Sequence, residues 1–540
     1  MSFNIADLFE HAVDAVPDRT ALIVGETRRT YLELDQRANR FANRLLADGV
    51  TKGDHLGIHG VNSEAWIVAM LGAFKISAVP ININYRYVAD ELAYLFDNAD
   101  LVAVVHDASY APIIAEVAPK TPNLEHFYVV DDGSGTDAGA LGSVRFEDAL
   151  ASAGPERPTV DRSPDDLYVL YTGGTTGMPK GVMWRQEDVF YALGGGIDAY
   201  TGEPVDDEYT LAEKAVASPA PLVTLCIPPL MHGAAQWGTM RFLFEGNTVV
   251  LVERFDAEAV WSEVERTGVQ TLTITGDAMG RPLIEALDAQ TDRWDTSSLF
   301  VIASSAAVFS PTVKARFRAR FPDAILVDAI GSSETGHNGM TTSADDDKRR
   351  EGLGVTVKGY EGSVVFDDDL KPVVPGSGVV GKLARGGHIP IGYYKDEAKT
   401  AKTFVTAADG QRYAMPGDFA TVEADGTITL LGRGSVCINT GGEKVYPEEV
   451  EGALKSHPAV YDAVVVGVPD ERWGERVAAI VQLRDGAESP DDDTLVTHCR
   501  SQLAGYKLPR SFVTVDEVVR SPSGKPDYPW AKQVAARGSR

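Results

Sequence analysis

Apolar positions give the first outline of the chain. Ile5, Leu8, Phe9, Ala12, Val13 and Val16 recur at helical spacing, which predicts an amphipathic helix capped by Asn4 and stopped at Pro17. Leu34, Ala38, Phe41, Leu45 and Leu46 repeat the pattern and predict a second helix, capped by Thr30 and closed by Gly49. Short β-rich apolar runs follow at 101–105, 127–130, 167–171, 248–252, 271–275, 299–303 and 325–330. Helical segments separate many of these runs. That alternation predicts an α/β fold whose sheets are largely covered on both faces. Segment 131–164, rich in Asp, Gly, Ser and Pro, reads as a loose connection. Segment 341–354 sets Asp345, Asp346 and Asp347 beside Lys348, Arg349 and Arg350 and reads as a solvated loop.

With 540 residues the chain exceeds one core and calls for two or three domains. Its C-terminal part reads as a separate α+β unit, with a helix at 448–456, strands at 459–468 and 477–484, a helix at 492–504 and a strand at 511–515. The boundary falls just after the hairpin signal Ala424-Asp425-Gly426-Thr427, so the expected domains are 1–432 and 433–540.

Charge narrows the partners. Fifty basic against 78 acidic residues leave a net charge of −28, which disfavours nucleic acid and anionic membrane. Any phosphate must then be met by local donors. Cys226, Cys437 and Cys499 are far apart and lack C-x-x-C spacing, which fits a reducing cytoplasm rather than a disulfide or zinc framework. The N-terminus carries no basic and apolar leader, and no apolar run approaches the ~18–20 residues of a membrane span.

The densest chemistry lies after the run Leu167–Leu170. Between Thr172 and Lys180 stand three threonines, three glycines and a lysine: Thr172, Gly173, Gly174, Thr175, Thr176, Gly177, Met178, Pro179, Lys180. Glycines let backbone N–H groups face a ligand, hydroxyls add donors, and the lysine adds a point charge, so the segment predicts a polyphosphate-wrapping loop. It is not the P-loop of NTPases. Pro179 stands where that pattern needs its last Gly, and Gly181 where it needs the Mg²⁺-holding Ser/Thr. G-x-G-x-x-G of kinases is also absent here.

Further polar clusters punctuate the apolar pattern: Pro229–Gly233 around His232, Gly331–Gly336 around Glu334, Met415–Asp418, Gly432-Arg433, Gly441–Glu448 and Ser521–Lys525. Singly, Glu334 reads as a cap residue, Asp418 as a turn residue, His232 as a structural histidine and Lys525 as a surface lysine. Their order and spacing change that reading.

With the loop at 171–181 they resemble the adenylate-forming superfamily, in its acyl-CoA synthetase branch, over essentially the whole chain. The stretches Tyr171–Trp184, Gly276–Met279, Gly331–Gly336, Gly432–Glu451 and Ser521–Tyr528 look like the actinobacterial enzymes that attach CoA to sterol side-chain acids. The resemblance implies a large N-terminal domain of layered α/β subdomains with a distorted β-barrel, and a small mobile α+β domain. It implies a carboxylate attacking the α-phosphate of Mg·ATP to give an acyl-adenylate, then CoA thiol displacing AMP as the small domain rotates. In that scheme residues 172–180 hold the β- and γ-phosphates and Glu334 holds Mg²⁺. Ser333 touches the α-phosphate, and Asp418, with Arg433 nearby, binds the ribose. Ser305, Ala306, Asp328 and Ile330 wall the adenine slot. Lys525 bridges carboxylate and phosphate, and His232 sits where acyl pocket and CoA tunnel meet. Gly441, Gly442 and Glu443 border the pantetheine path, and Ser435 is the hinge.

Three positions depart from the pattern. Ile330 replaces an aromatic, Ser435 an Asp or Lys, and Val436 an Asp. None removes a group needed for adenylation. Residues 230–240, 276–283, 303–309 and 336–340 are expected to line the acyl pocket, with Gly233, Ala234, Gly280, Ala303 and Gly339 leaving room for a bulky acid. The expected partners are a carboxylic acid, ATP and CoA, and a homodimer is left open. The alternatives are a medium- or long-chain fatty acid ligase, a luciferase-like or carrier-loading adenylating enzyme, and a nucleotide-binding protein that has lost turnover.

Overall fold

A computed structural model describes residues 3–173, 178–197, 202–291, 293–342, 355–440, 443–470, 472–521 and 524–538, with only the backbone for Ser435 and Gly538. Both N-terminal helices form as expected. Ile5–Ala15 is capped by Asn4, and Tyr31–Ala47 opens on a capping box between Thr30 and Glu33. Leu46 is the exception: it is 37% exposed, while Leu34, Ala38, Phe41 and Leu45 are buried.

The largest sheet among the described residues has 15 strands and two characters. Its parallel half runs through Thr248–Leu251, Val223–Cys226, Thr271–Ile274, Val301–Ser304 and Ile325–Ser332. Helices Ala257–Thr267, Gly276–Ala289 and Pro311–Arg320 cover it through a core that includes Trp261, Leu283 and Phe317. At Ile325–Ser332 the direction reverses. Gly336–Thr342, Val355–Gly359, Ile428–Arg433, Asp418–Val422 and Gly381–Gly386 continue it antiparallel. The expected distorted barrel is this antiparallel run, and its strand order ends at an edge instead of closing. The hairpin predicted at 424–427 is present, with Gly426 at φ +82° and Asp425 accepting the Thr427 amide.

A second sheet of five parallel strands, from Val79–Asn82 to Val144–Arg145, packs beside the first. Segment 131–164 is more ordered than expected, because Val144–Arg145 joins this sheet and Phe146–Ala151 is a helix with Phe146, Ala149 and Leu150 buried. The expected solvated loop at 341–354 falls, from 343 on, outside the described residues.

The C-terminal unit builds its own five-stranded sheet around the long hairpin Val460–Asp470 and Gly474–Leu483. Helices Pro447–Lys455 and Asp492–Arg500 cover one face, burying Val450, Leu454, Leu495 and Cys499. The other face is covered by Tyr528–Gly538, a helix the sequence pattern did not announce, through Ala531 and Ala535. Among the described residues no helix is long and apolar enough to cross a membrane.

Candidate active site

The phosphate-loop candidate is flanked by two paired strands. Strands Leu167–Thr172 and Lys180–Arg185 pair antiparallel in a register that sets Thr172 opposite Lys180. A strand, not a helix, follows the segment, which explains the mismatch with the strand–loop–helix of NTPases. Gly174, Thr175, Thr176 and Gly177 lie outside the described residues. Their anchors are fixed. The buried Asn82 amide accepts from Tyr171 N at 2.8 Å and donates to Tyr171 O at 2.8 Å and to Met231 O at 2.7 Å. One side chain thus ties the loop's entry to the residue before His232. Lys180 pairs with Asp396, which also caps helix Glu397–Thr403 by accepting the Lys399 amide.

The third strand of this small sheet, Gly392–Tyr393, pairs with Lys180–Arg185 and carries the link onward. The Tyr393 hydroxyl donates to Glu334 Oε1 at 2.9 Å. Fully buried Trp184, on the middle strand, donates to Ser333 O at 3.0 Å. The turn bearing Ser333 and Glu334 is closed from within, because Ser332 N donates to Thr335 Oγ1 and Glu334 N donates to Ser332 Oγ. Glu334 is thereby buried, with its backbone held by Ser332 and its carboxylate by Tyr393.

Asp418 and Arg433 face each other across the hairpin of Asp418–Val422 and Ile428–Arg433, with Asp418 Oδ1 at 2.9 Å from Arg433 Nε. Asp418 holds the Arg433 guanidinium above its usual pKa, burial opposes this, and Glu334 adds to it. Lys525, from the small domain, is exposed yet lies within the field of the same groups. Protein packed around it lowers its pKa, Arg433 adds to the effect, and Glu334 and Asp418 oppose it. His232 lies within the field of Lys525, and burial, with a smaller push from Lys525, lowers its pKa to about 3, so it is neutral near pH 7. Its Nε2 is buried without a hydrogen-bond partner. The fold therefore brings Glu334, Asp418, Arg433, Lys525 and His232 within one another's electrostatic reach, with Lys180 on a strand hydrogen-bonded to the Tyr393 segment.

The adenine-slot residues divide. Ser305 and Ala306 lie in the turn after Val301–Ser304, where Ala306 holds φ +65°. Asp328 forms an ion pair with Lys314. Ile330 is buried in the cluster of Val357, Val365, Leu383, Ala420 and Ile428, so its side chain fills that core. Glu443 opens strand Glu443–Val445, while Gly441 and Gly442 lie outside the described residues, as does the Ser435 side chain.

Three glycines expected to leave room for a bulky acid are filled by the protein itself. A Cβ on Gly233 would fall 2.5 Å from Leu170 Cδ2, one on Gly280 3.1 Å from Phe309, and one on Gly339 2.4 Å from Lys358 O. Ala234 is exposed and Ala303 is half-buried. Asn82, Trp184, Tyr393 and Asp396 are site residues the sequence reading missed. The signal for Asn82 was an amide inside the apolar run Val79–Ile83, where a buried polar group needs partners.

Residues 9–394 match the model of the AMP-binding enzyme family, and residues 449–525 that of the AMP-binding enzyme C-terminal domain. The chain belongs to the AMP-binding enzyme family. It is 53% identical over 536 residues to a 3-oxocholest-4-en-26-oate–CoA ligase of Rhodococcus rhodochrous, covering 98% of this chain and 96% of that one. It is 52% identical over 537 residues to a medium/long-chain-fatty-acid–CoA/3-oxocholest-4-en-26-oate–CoA ligase of Mycolicibacterium smegmatis, covering 99% and 97%. In fold it matches the anthranilate–CoA ligase AuaEII solved with anthranoyl-AMP, at a TM-score of 0.85 and 23% identity over 100% of this chain and 98% of that one.

Proposed function

We propose that this chain is an ATP-dependent, AMP-forming carboxylic acid–CoA ligase that works through an acyl-adenylate, with a sterol side-chain acid as its substrate. The observation that carries the reaction class is the gathering of Glu334, Asp418, Arg433, Lys525 and His232 within one another's electrostatic reach. An anion attacking a polyanion needs its charge offset where it develops. Lys525 meets the incoming carboxylate and the α-phosphate, and Lys180 neutralises the departing pyrophosphate side. Asp418 accepts from the ribose hydroxyls, and Arg433 fixes its orientation. Pyrophosphate leaves as the acyl–oxygen–phosphorus link forms. The CoA thiol then attacks the acyl carbon beside neutral His232 and AMP departs.

Glu334 suits Mg²⁺, being a hard oxygen donor with one oxygen already committed to Tyr393. Among the described residues no group of three or more acidic, His or Cys side chains could hold a metal, so ATP phosphates and water would complete its shell. When bound, the ion would offset phosphate charge. The domain boundary belongs near 432/433, with the hinge at Arg433–Ser435. Cys226 and Cys499 are buried free thiols, which supports a reducing cytoplasm.

The sterol acid is supported by full-length likeness to two ligases named for 3-oxocholest-4-en-26-oate. The second reading, a medium- or long-chain fatty acid, is favoured by the other half of the M. smegmatis relative's name. AMP formation measured with 3-oxocholest-4-en-26-oate, decanoate and palmitate separates the two. The sterol acid should give the highest kcat/KM, and equal or better turnover of palmitate would remove it as the substrate.

A further inference from the structure

The helix Gly276–Ala289 carries Asp277, Arg281 and Glu285 at four-residue intervals, which sets acid, base and acid in one stripe. The small domain meets each of them. Lys455 Nζ lies 3.9 Å from Asp277 Oδ2. The Arg281 guanidinium lies over the Tyr461 ring at 5.3 Å. Arg484 Nη1 lies 3.3 Å from Glu285 Oε1, and its guanidinium is also over the Tyr461 ring at 5.9 Å. Arg281 is nearly buried and its Nη1 has no hydrogen-bond acceptor, so the aromatic face is the compensation this cation receives on that side.

The contacts lead directly to the reacting lysine. Asp462, next to Tyr461, holds Arg520 through two bonds of 2.6 and 2.7 Å. Arg520 Nη1 donates to Gly524 O at 2.9 Å, which fixes the loop at the residue before Lys525. The same loop rests on the first turn of the striped helix, where a Cβ on Gly524 would fall 2.7 Å from Ala278 Cβ. Arg86 adds a bond to Arg520 O at 3.2 Å.

Most of these charges also have a partner in their own domain. Arg281 keeps Asp277, Arg484 donates to Pro458 O, and Glu285 keeps Arg316. The Lys455 charge is felt by Glu451 and Asp462. Separation would therefore strand few of them, unlike the loss of one member of a buried pair.

We infer that this stripe is the docking rail that seats the small domain for adenylation, and that Tyr461, Arg484 and Lys455 are positioning residues for Lys525. The inference rests on the ligase reading above. It is tested by following the two half-reactions separately, with acid-dependent pyrophosphate release for the first and CoA consumption from supplied acyl-adenylate for the second. Tyr461→Ala should slow the first by about five- to thirty-fold, the range of a desolvated cation–π contact, and leave the second within about twofold. Tyr461→Phe, which keeps the ring, should restore the first. Arg484→Glu, at a half-exposed site that tolerates substitution, should slow the first by about three- to tenfold, more strongly at low salt. Equal losses in both half-reactions, or adenylation unchanged in Tyr461→Ala and Arg484→Glu, would overturn the rail. A parent enzyme that releases no pyrophosphate with any acid would instead overturn the ligase reading, and is told apart because the silence is then not specific to the variants.

Discussion

The two halves of the active site are held by different kinds of force. On the large domain, Glu334, Ser333 and the entry to the phosphate loop are fixed by hydrogen bonds from Tyr393, Trp184 and Asn82, within strand registers and largely buried. On the small domain, Lys525 is placed by ion pairs and cation–π contacts along one helix face. Buried hydrogen bonds, one of them to a carboxylate, are costly to break, whereas the half-exposed Arg484–Glu285 pair exchanges readily with water and salt. The contrast assigns permanence to the groups that hold nucleotide and reversibility to the group that comes from the second domain.

The comparison breaks most visibly at the reacting groups. Lys525→Ala should lower acid-dependent pyrophosphate release by at least about 100-fold while sparing CoA transfer from supplied acyl-adenylate. Equal loss in both steps would make Lys525 a structural residue. Next in size is the fixed half. In Gly339→Ala the new Cβ meets backbone, Lys358 O at 2.4 Å, so the sheet must shift. A loss of about 2–3 kcal/mol in stability, with both half-reactions falling together, is expected from a urea melt and the two assays. Unchanged stability would mean that this part of the framework yields. Tyr393→Phe should be milder, because it removes only the donor to Glu334 Oε1. The KM for Mg·ATP should rise about three- to tenfold with little change in stability.

The last effect, which shows only as a dependence on pH, sits where the halves join. Burial, then the nearby Glu451, raises the pKa of Glu448 to about 8, and a Cβ on Gly432 would fall 2.3 Å from its Oε2. The folded state then holds a proton that the unfolded chain releases above its ordinary carboxyl pKa. Wild-type stability should fall as pH rises from about 4.5 to about 8 and level off above that. Glu448→Gln should flatten this slope, and the gap between the two proteins in urea melts at pH 5 and pH 8.5 should change by about 1–3 kcal/mol. Parallel curves would show that Glu448 is charged in the folded protein.

Contiguous chemistry was legible in the sequence. The runs around Thr172–Lys180, Ser333-Glu334, Asp418 and Lys525 each carry their residues within a few positions and stood out as candidates once their order matched a family pattern. Amphipathic helices with strong caps, such as Ile5–Ala15 and Tyr31–Ala47, were legible too. Groups defined by a distant partner were not legible. Tyr393 matters through Glu334 and Asp396 through Lys180, pairings that exist only once Gly392–Tyr393 joins Lys180–Arg185. The final helix was missed because its buried face includes small residues, Ala531 and Ala535, which give little periodic contrast.

Gly233, Gly280 and Gly339 also bear on how the enzyme could be retargeted. At Gly339 a new Cβ meets the backbone of a neighbouring strand, so enlarging it would damage the scaffold, whereas at Gly233 and Gly280 it meets the side chains of Leu170 and Phe309, which would have to move. Gly238 differs, because a Cβ there would meet only Cys226 Sγ at 3.5 Å, an ordinary contact. A library has room to grow at Gly238, on the helix that follows His232, and none at Gly339, where the new atom would meet backbone.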